Sequence, residues 1–156
     1  MPAALLRLRP MEESDLGAVV ELERQSQYTP WTAGNFRDAL AAGNLCLVGT
    51  IEQVLVATGV LQMGAAEAEL LSMAVLPEYR RRGLGWQLLQ ELIARATVYG
   101  ADAIWLEVRV SNLPAIKLYH ASGFVDIGWR KGYYETVDGR EDAMMMRLAM
   151  TAPKRH

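Results

Sequence analysis

The sequence predicts a mixed α/β sheet. Two observations carry this reading. Alternating and wholly apolar stretches of strand length recur along the chain, separated by stretches with apolar residues at helical spacing. The order in which they alternate, β-α-α-β-β-β-α-β-α-β-β, belongs neither to a repeating βαβ barrel nor to a helical bundle.

The elements follow in order. "ALLRLR" alternates up to Pro10 and reads as a first strand. In "EESDLGAVVELERQ", Leu16, Val19, Val20 and Leu22 form a helical stripe, with Ser14 or Asp15 as its cap. "YTPWTAGNFRDALAAG" turns at Pro30, then starts a short helix capped by Thr32 and stopped near Gly43. "NLCLVGTIE" and "QVLVATGVLQM" read as a strand pair joined tightly near Glu52 and Gln53, and "EAELLSMAVLP" as a strand ending at Pro77. Leu88, Leu89, Leu92, Ile93 and Ala96 lie on one face of a helix that Gly100 stops. "DAIWLEVRV" is a strand. In "SNLPAIKLYHASG", Ser111 or Asn112 caps a helix, Pro114 fits its first turn and Gly123 ends it. "FVDIGWRKGYY" and "AMMMRLAM" close the chain as strands around a polar turn at "VDGRED".

At 156 residues the chain is expected to form one domain, residues 1–150, followed by a loose tail at 151–156. A net charge of −2 argues against a general nucleic-acid binder. Apolar runs fall short of the ~20 residues a membrane helix needs. The N-terminal arginines follow the apolar part, the wrong order for a secretory signal. The expectation is a soluble, cytoplasmic protein. Cys46 is the single cysteine and reads as a buried strand thiol; His120 and His156 are the only histidines. Internal disulfides are excluded, and a metal cluster or histidine triad nearly so.

"RRRGLG", Arg80 to Gly85, lies at a predicted strand-to-helix junction. Helix N-termini attract anions, and glycines let backbone amides reach a phosphate. The residues alone leave two readings, a phosphate loop or a glycine turn with solvated arginines. The dinucleotide fingerprint fails because Leu88 stands where its third glycine belongs, and no P-loop exists.

The loop does match R-x-x-G-x-G, and it is followed by "WLEVRVSN", "LYHASGF" and "YYETVDGRED". In this order the motifs resemble the GNAT N-acetyltransferase superfamily, in its bacterial ribosomal-protein-alanine N-acetyltransferase branch, from about Arg9 to Leu148. The resemblance implies the GNAT acyl-CoA N-acyltransferase fold, a mostly antiparallel sheet of about seven strands flanked by about four helices. It also implies acetyl-CoA as co-substrate, with no metal. The backbone of Met73, Ala74 and Val75 would pair with the pantetheine arm like an added strand. The amides of Arg81, Arg82, Gly83, Leu84, Gly85 and Trp86 would hold the pyrophosphate. Asn112 would contact coenzyme A, although by position it is also a helix cap.

Strand parity puts Glu107 on one face with Trp105 and Arg109, so it is either paired structurally, for instance with Arg109, or points into a site. The resemblance implies that it is the proton acceptor. Tyr119 reads as core packing beside Ile116 or, by resemblance, as the proton donor to the leaving thiolate. Trp31, Tyr133 and Tyr134 lie in segments read as loops that resemble the acceptor-groove walls; Trp31 reads equally as packing for its short helix. Glu135 stands where close relatives often carry proline.

An N-terminal α-amine has a pKa near 7.7–8.0, so about a tenth is neutral at pH 7, against less than a thousandth of a lysine side chain. A carboxylate base therefore suits an α-amine acceptor. The expected activity is acetylation of the N-terminal alanine of ribosomal protein S18 by direct attack. The alternatives are a small-amine acetyltransferase acting on a polyamine or aminoglycoside, acetylation of protein lysines, and a non-catalytic coenzyme A sensor.

Overall fold

The structure, a computed structural model, describes residues 5–150; the tail expected at 151–156 lies outside them. Among the described residues, seven strands form one sheet in the order β1-β2-β3-β4-β5-β7-β6, with four α-helices. The chain divides into two compact units, the first running through Gln62 and resuming at Leu71–Leu92, the second comprising Met63–Leu70 and the chain from Ile93 onward. No helix among the described residues is long and apolar enough to cross a membrane.

In the first unit, β1 (Arg7–Pro10) pairs antiparallel with β2 (Leu45–Ile51), and β2 with β3 (Val54–Met63). The β2–β3 connection is a two-residue turn whose residues, Glu52 and Gln53, both have positive φ (49° and 70°). Such turns match the twist of the strands they join. Two helices, α1 (Leu16–Ser26) and α2 (Ala33–Ala41), share a core with the strands: Leu16 and Val19 meet Phe36, Ala39, Cys46, Val48 and Val60. Each large side chain buried here contributes about 1.5–3 kcal/mol.

Thr32 caps α2, its Oγ1 accepting from the Asn35 N–H at 3.2 Å. The start of α1 adds a detail the sequence does not show. Asp15 is the N-cap by position, as expected, but its carboxylate makes no bond into α1; it takes two hydrogen bonds from the Arg9 guanidinium, both 2.7 Å, and one from the Glu12 N–H at 2.8 Å, which closes a capping box on the short 3-10 turn Glu13–Asp15 that leads into the helix. A carboxylate has lone pairs enough for the charge-assisted fork and the capping-box bond together.

The strand β4 (Glu67–Val75) and helix α3 (Leu84–Val98) each run from one unit into the other. In the second unit, β4 pairs parallel with β5 (Ala103–Arg109) over four residues, from Glu67↔Ala103 to Leu70↔Leu106. Next to β5 lies β7 (Gly139–Ala149), antiparallel, and beyond it β6 (Val125–Thr136). Between β5 and β6 comes α4 (Leu113–Ala121), capped by Asn112, whose Oδ1 accepts from the Ala115 N–H at 3.3 Å. The buried side of β5 is Ile104, Leu106 and Val108; Trp105, Glu107 and Arg109 alternate with them on the other face and are partly exposed.

The last hairpin is tighter than expected. Only Val137 and Asp138 form the turn, and "GRED" belongs to β7. Lys131–Tyr134 belongs to β6, as the strand reading of "FVDIGWRKGYY" has it and not as a groove loop, in an irregular stretch between Arg130 and Tyr134. Gly132 there has φ +60°, and its N–H donates to Asp142 Oδ1 at 2.8 Å.

Candidate acetyl-transfer site

In the first unit the chain leaves β4 through a 3-10 turn at Pro77–Tyr79 and enters the arginine-glycine loop. Arg81 and Gly83 have φ of 64° and 76°. The left-handed region is one that a side chain rarely adopts and glycine adopts freely. The first helical bond of α3 runs from the Gln87 N–H to the Gly83 carbonyl at 3.1 Å, so the N–H groups of Leu84, Gly85 and Trp86 have no acceptor within the helix. A row of such donors, with the helix dipole behind it, suits a diphosphate. Arg82 lies over the Tyr79 ring at 4.9 Å, and Arg80 donates to the Ser26 carbonyl at 3.4 Å.

Upstream of the loop, the Met73 carbonyl accepts from Gln27 Nε2 at 2.8 Å, which ties the end of α1 to the segment Met73–Val75. One of its two lone pairs is thus in use. Trp31 packs on Phe36, ring centroids 5.0 Å apart, so its role in fixing α2 is visible in the structure. Its backbone N–H donates at 3.1 Å to Glu23 Oε1, a carboxylate 1% exposed. The second oxygen, Oε2, has no hydrogen-bond partner. Burial pushes the Glu23 carboxyl above its ordinary range, against the pull of the Trp31 N–H. An apolar stripe read along α1 passes over this residue.

Cys46 is buried, and burial pushes its thiol up to about 11. A thiol so far from ionisation is a poor nucleophile.

The second unit carries the expected proton-transfer groups. Glu107 is paired, as one of its two readings required, but with a different partner: Arg130 Nε lies 3.2 Å from Glu107 Oε1. Arg109 instead binds Glu141 at 2.9 Å and lies 4.2 Å over the Tyr134 ring. Glu141 Oε2 also accepts from the Ser111 N–H at 3.2 Å. Burial raises the Glu141 carboxyl, yet the Ser111 and Arg109 hydrogen bonds outweigh it and hold the group below the usual carboxylate range.

The Tyr119 ring is buried against Phe124, 5.6 Å between centroids. Burial first, and the charge of Tyr134 second, push its phenol above the ordinary range. The group therefore stays protonated and able to donate at any physiological pH. Tyr134 is raised too, by burial and then by Glu107, so these charges act on one another across a small region. Tyr133 stacks edge-on against Tyr134 at 5.0 Å and is 45% exposed, with Arg130 5.2 Å over its ring.

Two residues of this region carry no motif signal. Arg130 pairs Glu107. Glu69 shares the face of Trp105 and Glu107 by the parallel register Glu69↔Trp105; burial and then Glu107 raise its carboxyl, against the pull of Arg130. The parity of the "EAELL" stretch places Glu69 opposite the buried Ala68 and Leu70, but nothing local indicates which strand lies beside it.

The sequence profile of the Acetyltransferase (GNAT) family matches residues 9–124. The [Ribosomal protein bS18]-alanine N-acetyltransferase of Escherichia coli K12 is 38% identical over 141 residues, 90% of this chain and 95% of that protein. Its counterpart in Salmonella typhimurium is 36% identical over the same length. The crystal structure of the E. coli ribosomal-protein-S18-alanine N-acetyltransferase superposes with a TM-score of 0.89, at 35% identity, covering 97% of this chain and 99% of that one. On these matches the chain belongs to the GNAT acetyltransferase family.

Proposed function

We propose that this protein transfers acetyl from acetyl-CoA to the N-terminal alanine α-amine of ribosomal protein S18. The observation that carries the reading is the 38% identity to the E. coli bS18-alanine enzyme, together with its extent. The alignment covers 90% of this chain and 95% of that relative.

The donor binds through backbone. The pantetheine amides add to the strand segment Met73–Val75, and the diphosphate takes the N–H groups of Arg81–Trp86, with Asn112 as a further polar contact. Glu107 accepts the proton of the acceptor ammonium, directly or through one water. The freed amine attacks the thioester carbonyl carbon. The N–C bond forms, the C–S bond breaks with its electron pair on sulfur, and Tyr119 protonates the thiolate. The nitrogen's second proton restores the phenol, so the net change releases one proton. Attack is direct, because the one cysteine is buried with its thiol near 11. Tyr133, Tyr134 and Trp31 flank the peptide terminus. The reaction takes place in the cytoplasm, where ribosomal proteins are made.

The test is to incubate the protein with acetyl-CoA and a peptide bearing the S18 N-terminus, beside a blocked-terminus lysine peptide, a polyamine and an aminoglycoside. Mass spectrometry then locates the acetyl group. Acetylation of the α-amine is expected. Turnover of the small amines alone overturns the acceptor assignment, and tight acetyl-CoA binding without turnover of any amine overturns the enzymatic one.

A further inference from the structure

On the face of β4, β5, β7 and β6 that carries Glu107, the charged side chains form pairs. Glu67 binds Arg147 at 3.1 Å, Glu107 binds Arg130 at 3.2 Å, and Arg109 binds Glu141 at 2.9 Å. Glu69 is the exception. It makes no ion pair or hydrogen bond among the described residues, although it is partly buried.

The registers locate it. Glu69 lies opposite Trp105 on the neighbouring strand, so Glu107 is its diagonal neighbour on the same face. With strands ~4.8 Å apart and two residues along a strand spanning ~6.6 Å, the two Cα atoms are about 8 Å apart. Glutamate side chains reach across such a diagonal. Arg130 acts on both carboxylates and is ion-paired with Glu107, so with Glu69 ionised the three groups carry one negative charge in excess.

A partly desolvated carboxylate whose nearby cation, Arg130, is ion-paired to another carboxylate is costly to keep charged unless a further cation arrives. The substrate supplies one. An α-amine of pKa near 7.7–8.0 is about nine-tenths ammonium at pH 7.

We propose that Glu69 is the counter-ion that receives the acceptor amine in its ammonium form, beside the carboxylate that deprotonates it. This rests on the reading of Glu107 as the base. Glu69 is then a substrate-binding residue, and it explains how the enzyme draws on the abundant charged form of the amine rather than the scarce neutral one. After Glu107 takes one proton from the ammonium, the attraction to Glu69 falls away and the neutral nitrogen is free to attack.

The experiment measures binding rather than turnover. The protein is saturated with coenzyme A, which cannot react. Two peptides are titrated by calorimetry at pH 6.5: one beginning with alanine, the other identical except that a hydroxyl replaces the N-terminal amine. The wild type is expected to favour the amino peptide at least tenfold. Glu69→Gln is expected to cut that preference at least fivefold, Glu69→Asp to retain most of it, and coenzyme A affinity to hold in both. In steady state the Glu69→Gln loss is expected in the peptide KM. An unchanged preference in Glu69→Gln, or a loss confined to kcat, overturns the proposal. Glu107→Gln separates the two readings. If it retains full turnover, the base assignment fails while the Glu69 binding comparison still stands or falls by itself.

Discussion

Replacing Tyr119 with phenylalanine separates catalysis from packing, because the structure gives the two roles different sizes. The variant keeps the ring, its burial and its contact with Phe124 at 5.6 Å. It removes only the hydroxyl, which is not among the buried polar atoms left without a partner, Glu23 Oε2 and Ser72 Oγ. The stability cost is therefore that of at most one ordinary hydrogen bond, about 1 kcal/mol. For a chain of this size that shifts Tm by about 2–4 °C. Loss of a general acid removes about 10²–10⁴ from the rate, which at 1.36 kcal/mol per decade is about 3–5 kcal/mol of transition-state stabilisation. The assay follows thiol release from acetyl-CoA with an alanine-start peptide, beside a thermal melt of the same preparation. The expected result is a kcat lower by at least a hundredfold, a KM for acetyl-CoA within threefold, and a Tm within 4 °C. Because burial pushes the phenol up, kcat should also show no alkaline limb from this group below pH ~10. A kcat within threefold of wild type refutes the reasoning, as does a fall in activity that merely tracks a fall in Tm.

Four further outcomes follow from the geometry. Gly83→Ala meets no neighbour within 4 Å but forces a side chain into φ +76°, which costs ~1–3 kcal/mol; the loop should lose pyrophosphate affinity, seen as a KM for acetyl-CoA raised about fivefold or more with a smaller change in kcat. Cys46 should resist iodoacetamide at pH 8 in the folded protein and react once the chain is unfolded, since its thiol is both buried and raised to about 11; Cys46→Ala should retain turnover. Phe36→Ala removes a fully buried ring from the core shared by α1, α2 and the strands, and should cost about 3–5 kcal/mol in denaturant unfolding. Glu23, whose carboxyl is raised on folding, holds its proton more tightly folded than unfolded, so its contribution is fullest below the unfolded carboxyl pKa of ~4.3 and is lost as pH rises toward the raised value; the Tm of Glu23→Gln relative to wild type should therefore improve from pH 5 to pH 8, and a flat difference would count against a buried titrating carboxyl.

What the sequence shows readily is what depends on backbone and on short spacing. The left-handed positions needed glycine at Gly83, Gly100 and Gly123, and all three have positive φ. The Thr32 cap and the Asn112 cap are local hydrogen bonds between residues three apart. Glu107 could be placed on a face because side chains in a strand alternate. What the sequence does not show is which charge meets Glu107, and the reason is a single irregularity in β6. Asp126 pairs with Met146, but Gly128 pairs with Met145, so Ile127 is an extra residue. That bulge sets Arg130 opposite Ala143, the residue that also faces Arg109 on β5. With regular pairing from Asp126 onward, Arg130 would fall opposite Asp142 and point to the other side of the sheet. The Glu107–Arg130 pair thus depends on one inserted residue about twenty positions from Glu107. A bulge re-aims every side chain beyond it, while the local apolar pattern from which strands are read is almost the same with or without it. Asp142 then holds the second irregularity in place through the Gly132 N–H. The "GRED" segment is accordingly a structural clamp: Glu141 secures Arg109, and Asp142 fixes the backbone just past Arg130, which keeps the guanidinium beside Glu107.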